Sequence, residues 1–308
     1  MKNEEKNILS KLEELNYEYQ KDGYYNYGKS VKNFVNLISK MKLYTAFLFF
    51  KSHLKNKKNR KIRTNINTKM EFDNSNPIII HNKEGKSKIV IYTCITGNYD
   101  EVIEPVILET KCEYVLFTNN KDIKSKNWQI RLIPDEINKL GTNAEINRYI
   151  KMHPKEFFED FDYSIYVDGN IKIISNISTF VDSINKKTGL AIHKHGSNIC
   201  IYQEIKDCIT RKKGNKNKLK EQYKKYMNQG FPKKFGMFQC SIIASDLHNI
   251  NSIKILNDWW NEYIISKSSR DQIALPYVLY KNNYKPEDVG NLGEDISKNV
   301  KVKTNSHL

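Results

Sequence analysis

The sequence predicts an α/β fold, in which strands and helices alternate along the chain. Short apolar runs rich in β-branched residues recur between residues 88 and 244, and such runs are typical of buried strands. Longer stretches with helical spacing separate several of these runs. This alternation favours a central sheet with helices packed against it, and we place this domain at residues 86–290.

Five strands and four helices are expected in this domain. The predicted strands are residues 88–96, 114–118, 163–167, 190–193 and 237–244. The predicted helices are residues 144–158, 178–187, 250–266 and 270–281. Ser178 is the expected N-cap of the second helix, and Gly189 is expected to close it.

The two flanking regions have a different composition. Residues 1–85 are predicted to form a basic helical N-terminal region, and residues 291–308 a polar C-terminal tail. Within the first region, residues 43–63 contain an aromatic patch followed by a cluster of Lys and Arg. This pattern resembles a helix that lies on an anionic membrane surface. A solvated charged face beside a small packing surface explains it equally well.

Composition restricts the function classes. The 308 residues carry a net charge of +16, which attracts nucleic acid, anionic lipid or phosphorylated ligands. No nucleic acid partner is expected, because no recognised binding module accompanies the charge. The N-terminus has no apolar signal segment, and the five cysteines are scattered and odd in number. We therefore expect reduced thiols in a cytoplasmic protein, without a disulfide framework or a zinc site.

The motif Asp168-Gly169-Asn170 follows the predicted strand at residues 163–167. Its position puts two oxygen ligands at the rim of a sheet, where open α/β folds bind ligands. Oxygen ligands at this spacing suit Mg²⁺ or Mn²⁺ carrying a diphosphate. A simple turn after the strand is the competing interpretation, because Asp, Gly and Asn all favour turns.

Other polar residues also lie where a ligand could bind. Thr96, Gly97, Tyr99 and Asp100 follow the first strand and could form a nucleotide pocket, although neither G-x-G-x-x-G nor a P-loop occurs. Arg148 and Lys151 share one helix face and could neutralise a diphosphate.

Two histidines and an aspartate complete the candidates. His193 and His195 alternate along a predicted strand, so either could be a third metal ligand or bind phosphate, or both could be ordinary polar-face residues. Asp271 opens a helix and could act as a base or bind sugar hydroxyls. The preceding pair Trp259-Trp260 is either a platform for a sugar or part of the core.

Taken in order, these motifs resemble the glycosyltransferase-like family of TOD/MUCI type. The resemblance covers residues 88 to about 282. It rests on Tyr92-Thr93-x-Ile95-Thr96-Gly97-x-Tyr99-Asp100, Phe117-Thr118-Asn119, Arg148-x-x-Lys151-Met152-His153-Pro154, the segment from Asp162 to Asn170, the segment from Cys200 to Glu204, Trp259-Trp260 and Ser269-Arg270-Asp271-Gln272.

The resemblance implies a single Rossmann-like domain of the type-A glycosyltransferase fold, with a mixed, mostly parallel sheet. By the same resemblance, Asp168 and Asn170 would hold a divalent metal and the diphosphate, and Arg148 and Lys151 would face the phosphates. Thr96, Gly97, Tyr99 and Asp100 would line the nucleotide pocket, and Asp271 would face the acceptor or the sugar. Asn170, where the family has a second carboxylate, and Asn119, where it often has Asp, depart from the pattern.

The implied activity is transfer of a sugar from a nucleotide sugar, with a UDP-sugar expected, to a glycan or lipid-linked acceptor. The expected setting is bacterial surface polysaccharide synthesis at the inner face of the cell membrane. A non-catalytic basic module that binds anionic membrane or nucleic acid is the alternative. A metal-dependent phosphoester hydrolase ranks lower, because the dense His and Asp clusters of two-metal sites are missing from the sequence.

Overall fold

The computed structural model describes residues 77–80, 87–97, 99–196 and 198–305. Its eleven strands are β1 (Ile78–Ile80), β2 (Ile89–Ile95), β3 (Ile107–Glu109), β4 (Cys112–Thr118), β5 (Gln129–Leu132), β6 (Tyr163–Val167), β7 (Ile171–Ile173), β8 (Leu190–Lys194), β9 (Phe238–Asp246), β10 (Gly290–Asn291) and β11 (Val302–Thr304). The α-helices in the same ranges are α1 (Asp135–Asn138), α2 (Asn143–Met152), α3 (Pro154–Phe157), α4 (Ile201–Thr210), α5 (Lys216–Asn228), α6 (Ile250–Ser266) and α7 (Asp271–Lys281).

Seven strands form the central sheet in the order β10-β8-β9-β6-β2-β4-β5. β9 runs antiparallel to both of its neighbours, and every other neighbouring pair is parallel. The predicted α/β class with a mixed, mostly parallel sheet is therefore confirmed.

Both faces of the sheet are covered, which explains why β2 is apolar at nearly every position. Val90 and Tyr92 pack in one hydrophobic cluster together with Trp259. Ile91 and Ile95 belong to a second cluster on the opposite face. Successive side chains of a strand point to opposite faces, so a strand between two helical or loop layers needs apolar residues at consecutive positions.

The helix predicted at residues 178–187 is shorter than expected. The structure has a 3₁₀-helix at Ser178–Ser183, and Ser178 lies inside it rather than at its N-cap. Asn185 then pairs with Leu190 in an antiparallel bridge, and Gly189 adopts a φ of +67°. The chain must turn back into β8 at this point, so a longer helix has no room.

The segment after residue 290 also differs from the polar tail that composition suggested. β10 pairs with β8, and β11 pairs with β7 in a separate two-stranded antiparallel sheet. Val302 is fully buried in the second cluster. Sequence patterns alone missed this pairing because β11 is only three residues long. The helices α4 and α5 were likewise not predicted.

None of the helices within the described ranges is long and apolar enough to cross a membrane. The segment 43–63 and most of the region 1–85 that was predicted to be helical lie outside the described residues. Its described part, residues 77–80, contains the strand β1 and not a helix, because Ile78–Ile80 pair with β3.

Candidate active site at the carboxyl ends of β2 and β6

Two of the predicted loops meet at one edge of the sheet. β2 and β6 are adjacent and parallel, so the loops that follow them leave the sheet at the same end. A Cβ atom added at Gly169 would lie 3.0 Å from Ile95 and 3.2 Å from a carboxylate oxygen of Asp100. The loop after β2 and the turn after β6 therefore form one continuous surface, at the place where open α/β sheets bind ligands.

A buried ion pair lies beside this surface. Lys151 on α2 is 2% exposed, and its Nζ lies 2.9 Å from Oδ2 of Asp271, the first residue of α7. The same Nζ lies 3.7 Å from Oδ1 of Asp168. It also lies 5.1 Å from the ring centroid of Tyr166 and 5.6 Å from that of Trp259, within the range of cation–π attraction. Lys151 thus links Asp168, in the turn after β6, to Asp271 at the start of α7.

Arg148 supports the same carboxylate from the preceding turn of α2. Its Nε lies 3.4 Å from Oδ2 of Asp271. Its Nη1 donates a hydrogen bond to Oδ1 of Asn147 at 2.7 Å, and Nδ2 of Asn147 donates to the carbonyl of Cys94 at 2.6 Å. Asn147 therefore ties α2 to the end of β2 and orients Arg148, a role that the sequence did not suggest.

The electrostatics of Asp271 argue against its use as a proton acceptor. Burial alone would raise the pKa of Asp271, but the charges of Lys151 and Arg148 outweigh burial and hold this pKa well below its usual range. An efficient general base has a pKa near the working pH, so this carboxylate is a weak base. Because its pKa is lower in the folded state, Asp271 stabilises the fold above about pH 4 and loses that contribution at lower pH.

The Asp168–Asn170 segment is both a turn and part of the candidate site. The amide of Ile171 donates to the carbonyl of Asp168 at 2.9 Å, which closes the turn. Oδ1 of Asp168 accepts a hydrogen bond from the Tyr166 hydroxyl at 3.0 Å, and the Asp168 side chain remains 26% exposed. Asp168 is therefore the more accessible of the two predicted catalytic carboxylates.

Asn170 is held by the C-terminal segment. Its Nδ2 donates to the carbonyl of Asn305 at 2.9 Å, and the amide of Asn305 donates to the carbonyl of Asn170 at 2.8 Å. The side-chain nitrogen of Asn170 is engaged in this contact, so its side-chain oxygen is the atom suited to face a cation. Asn305 was not expected in this region, because residues 291–308 were predicted to be a tail.

The oxygen atoms at this rim fit a divalent cation only together with a ligand. No group of three or more His, Cys, Asp or Glu side chains able to hold a metal occurs within the ranges that the structure describes. Asp168 and Asn170 supply one carboxylate and one amide oxygen. Mg²⁺ is commonly bound by one or two carboxylates plus substrate phosphates and waters, so these two residues fit that mode. When bound, such a cation would neutralise the negative charge of a phosphate ligand at this rim.

The predicted nucleotide loop is shaped by asparagines. Oγ1 of Thr96 donates to the carbonyl of Asn143 at 2.8 Å, and the amide of Gly97 donates to Oδ1 of Asn119 at 3.0 Å. Asn119 also donates to Oδ1 of Asn143 at 3.0 Å. Gly97 has a φ of +60°, and an added Cβ would approach the side chain of Asn143 to 2.0 Å. Tyr99 follows with 63% exposure, so its ring is accessible to a ligand.

The two histidines lie at the carboxyl end of β8, which is at the same edge of the sheet as that of β6 because β9 runs antiparallel to both strands, but each histidine has partners of its own. A register shift occurs between Ile192 and His193, and β8 ends at Lys194. Nε2 of His193 lies 2.8 Å from Nδ2 of Asn299, and burial lowers the pKa of His193 to about 4. Nδ1 of His195 accepts from the amide of Asn198 at 2.9 Å, and its Nε2 lies 3.7 Å from Glu204. These contacts do not bring His195 to Asp168, and its role in binding stays a prediction.

The two tryptophans support the core interpretation. Trp259 is fully buried, and its Nε1 donates to the carbonyl of Asp271 at 2.7 Å. Trp260 packs edge-on against Tyr149 at a centroid distance of 5.2 Å and against His153 at 5.8 Å. Trp259 thus positions the start of α7, and Trp260 packs α6 against α2.

A mixed sheet with a polar rim at the carboxyl ends of adjacent parallel strands defines a Rossmann-like α/β domain, a class of fold in which ligands bind at that edge. The family model described as TOD1/MUCI70, glycosyltransferase-like domain, matches residues 58–307. The chain belongs to this family, which confirms the resemblance and, with it, the type-A glycosyltransferase class of fold.

Two solved glycosyltransferases are similar to the chain at low sequence identity. The apo structure of the bifunctional glycosyltransferase WbbM has 12% identity and a TM-score of 0.41, with 68% of this chain and 40% of WbbM covered. The galactosyltransferase LgtC, solved with donor and acceptor sugar analogs, has 13% identity and a TM-score of 0.37, with 60% of this chain and 69% of LgtC covered. The chain thus corresponds to less than half of the length of WbbM. No curated protein matches the sequence.

Proposed function

We propose that this protein transfers a sugar from a nucleotide-sugar donor to a glycan or lipid-linked acceptor in surface polysaccharide synthesis. One observation carries the proposal. The partly exposed carboxylate of Asp168 lies 3.7 Å from Nζ of Lys151, beside a loop whose Asp100 adjoins Gly169. A cation and a strand-end loop bind a nucleoside diphosphate at a sheet edge, and a carboxylate can hold the divalent cation that accompanies the diphosphate.

The chemistry would be displacement at the anomeric carbon of the donor sugar. The bond from this carbon to the diphosphate oxygen breaks, and the nucleoside diphosphate leaves with the electron pair. The acceptor hydroxyl oxygen forms the new bond and releases its proton. Lys151 and Arg148 would stabilise the negative charge that develops on the leaving group, because preorganised cations lower the barrier where charge appears.

Asp168 and Asp271 would have different roles in this reaction. Asp271 would keep Lys151 and Arg148 in place, since both cations contact its Oδ2. Asp168, with its more accessible carboxylate, would face the donor together with Asn170 and a bound Mg²⁺ or Mn²⁺. Thr96, Gly97 and Tyr99 would contact the nucleoside, with a UDP-sugar as the expected donor.

The setting of the reaction stays a prediction. A cytoplasmic protein that lies on the inner face of the cell membrane would reach lipid-linked acceptors, and the basic segment 43–63 would supply the membrane contact.

The test is donor binding and donor turnover by the full chain. Thermal shift with UDP-, GDP-, CMP- and dTDP-sugars, with and without Mn²⁺, identifies the donor, and release of nucleoside diphosphate measures turnover. We expect Asp168→Asn to lower turnover by about 100-fold or more, in the range reported for the removal of one electrostatic catalytic group.

Asp162→Asn is the matched control. Asp162 lies just before the opposite end of β6, where it accepts a hydrogen bond from the amide of Lys88 at 2.8 Å. Turnover by this control should stay within about twofold of wild type, as for most surface substitutions. Absence of any shift with every donor, or equal turnover by both variants, would contradict the proposal and favour a non-catalytic basic module.

A further inference from the structure

The net charge of residues 77–308 is concentrated in one segment, between β8 and β9. Residues 201–237, which we call the α4–α5 insertion, contain 11 Lys and Arg and only 3 Asp and Glu. The rest of residues 77–308 contains 24 Lys and Arg and 24 Asp and Glu, so its charges balance. Such an uneven distribution places the positive potential on one part of the surface, where it attracts anionic partners.

The α4–α5 insertion lies at the edge of the sheet that carries the candidate active site. The carboxyl end of β8 is at the same edge as that of β6, because β9 runs antiparallel to both strands. β9 begins at Phe238, which pairs with Lys194 at the end of β8. The chain therefore leaves the sheet into the insertion, and returns from it, at the edge where Asp168 lies.

The insertion is packed on the neighbouring helices of the domain. Tyr226 of α5 is fully buried in a hydrophobic cluster that also contains Ile273 and Tyr277 of α7. Nζ of Lys225 lies 2.8 and 2.7 Å from the two carboxylate oxygens of Glu262 on α6. The hydroxyl of Tyr226 donates to the same carboxylate at 2.8 Å. These contacts fix the orientation of α5, and with it the direction in which its outer face points.

The outer face of α5 is a row of lysines with one apolar side chain. Lys216, Lys220 and Lys224 are exposed and lie four residues apart. Met227 follows three residues after Lys224 and is 46% exposed. Residues three or four apart share one face of a helix. Within the ranges that the structure describes, none of the three lysines forms an ion pair.

The aromatic residues of the insertion are turned inward, which favours a lipid surface over nucleic acid. Tyr202, Tyr226 and Phe231 are buried in the cluster, and Tyr223 and Phe235 are half-buried against it. Proteins that bind single-stranded nucleic acid stack the bases on exposed aromatic rings, and these rings are not exposed.

The exposed methionine points to the same partner. A helix that lies on an anionic membrane places apolar side chains at the boundary of the headgroups and keeps its lysines at the level of the phosphates. Met227 and the three lysines of the same face fit this arrangement.

We propose that the α4–α5 insertion binds an anionic membrane surface through Lys216, Lys220, Lys224 and Met227. The inference rests on the proposed function for its purpose, because a membrane contact at this edge would bring the candidate active site to lipid-linked acceptors. The contact is a surface of the folded domain, separate from the basic segment 43–63.

The test is co-sedimentation of the full chain with vesicles. One set of vesicles contains phosphatidylcholine alone, and the other contains equal parts of phosphatidylcholine and phosphatidylglycerol. We expect the wild-type protein to bind the anionic vesicles and not the neutral ones. Lys216→Gln/Lys220→Gln/Lys224→Gln should weaken binding to the anionic vesicles about tenfold or more, because each lysine near an anionic surface adds to the attraction.

Lys186→Gln/Lys281→Gln/Lys285→Gln is the matched control, because it removes the same charge from exposed positions outside the insertion. This control should change vesicle binding by less than about twofold, as for most surface substitutions. An equal loss in both triple variants would mean attraction by total charge and would overturn the proposal. Unchanged binding in the insertion variant would overturn it as well, since the membrane contact would then lie elsewhere in the chain.

A second variant separates a membrane from nucleic acid. Met227→Ser should weaken binding to the anionic vesicles about threefold or more, because serine does not enter the apolar boundary of the bilayer. It should leave binding of duplex DNA at the same ionic strength unchanged. If duplex DNA bound more tightly than the anionic vesicles and lost affinity in the insertion variant, the surface would belong to nucleic acid and the membrane proposal would be wrong.

Failure of this proposal can be told apart from failure of the proposed function, because vesicle binding is measured without a donor. If no nucleotide sugar binds to the wild-type protein, the glycosyltransferase proposal fails, and the comparison of the insertion variant with its control still stands. If donors bind and turn over but the insertion variant binds vesicles as wild type does, only the membrane surface fails.

Discussion

Two carboxylates of this domain, Asp271 and Glu109, are buried to a similar degree but are satisfied in different ways. Asp271 is 5% exposed and Glu109 is 2% exposed. Glu109 accepts hydrogen bonds from the backbone amides of Ile177 at 2.8 Å and Ser178 at 3.0 Å, and from the Ser178 hydroxyl. It therefore caps the 3₁₀-helix Ser178–Ser183, in place of the serine that the sequence suggested.

Asp271 has side-chain cations as its partners instead. Lys151 and Arg148 both contact it, and Lys151 is also within reach of Asp168. Backbone amides cannot exchange their partner without unfolding the segment that they belong to. Cations on long side chains can turn from one anion to another. The difference indicates that the Glu109 region is structural and that the Asp271 region is suited to ligand binding.

The largest effect is expected from Lys151→Met. This change leaves Asp271 buried with only Arg148 beside it, and breaking one side of a buried ion pair costs about 3–5 kcal/mol of unfolding free energy. Urea denaturation measures the loss. The double variant Lys151→Met/Asp271→Leu should recover most of that stability, because an apolar replacement of both partners is often neutral. Arg148 is 26% exposed and can be solvated in this variant.

Donor turnover should be absent in the double variant although its stability is restored. This result would show that Lys151 and Asp271 are needed for function and not only for stability. A single variant as stable as wild type, or a double variant that retains turnover, would contradict the roles given to Lys151 and Asp271.

Mild acid is expected to lower the free energy of unfolding by a smaller amount. The residue responsible is His193, which lies beside the 3₁₀-helix that Glu109 caps. His193 packs edge-on against Phe180 of the capped 3₁₀-helix at a centroid distance of 6.1 Å, and burial lowers its pKa from 6.5 to about 4. The unfolded state then binds more protons than the folded state between these two values. Stability should fall as the pH falls from 6.5 to 4, by up to about 3 kcal/mol.

Urea denaturation at pH 7 and at pH 4.5 measures this dependence. His193→Gln should reduce the slope of this profile but not abolish it, because burial also lowers the pKa values of His153 and His195. His248→Gln is the control for the loss of an exposed histidine. A profile with the same slope in wild type and His193→Gln would show that His193 does not control it.

The smallest effect is expected from Glu109→Gln. Gln keeps one acceptor oxygen but loses the second, so a buried donor of the 3₁₀-helix is left unsatisfied at a cost of about 1–3 kcal/mol. Donor turnover by the folded protein should not change, in contrast to the Lys151 variants. Glu113→Gln is the control, because the Glu113 side chain is 57% exposed on neighbouring β4. If Glu109→Gln lost donor turnover while it remained folded, Glu109 would not be purely structural, and the contrast between Glu109 and Asp271 would be contradicted.

Much of the sheet could be predicted from the sequence, because its strands are continuous apolar runs. The strand Tyr163–Val167 and the helix Ile250–Ser266 have the predicted bounds. The edge strand β5 and the helices α4 and α5 were missed. β5 has no fully buried residue, so it lacks a strong apolar pattern. α5 has a low mean hydropathy and buries only three residues.

The candidate site could be predicted only in part, because the sequence reveals only those site residues that lie next to a strong local pattern. Asp168 and Asn170 were found because they directly follow a recognisable strand. Asn119 was noted only as part of a family motif, and Asn143, which holds the Gly97 loop together with it, gives no local signal that separates it from an ordinary turn residue. Their role depends on two loops that meet in space.

The sequence by itself determined the α/β class, the strand before Asp168 and the family, because these depend on local apolar patterns and on the order of short motifs. Only the tertiary structure decided the partners of the charges. Lys151 and Asp271 are 120 residues apart, and Asn170 and Asn305 are 135 residues apart. A buried charge must find its counter-charge wherever the fold brings one, so no local pattern of the chain encodes that choice.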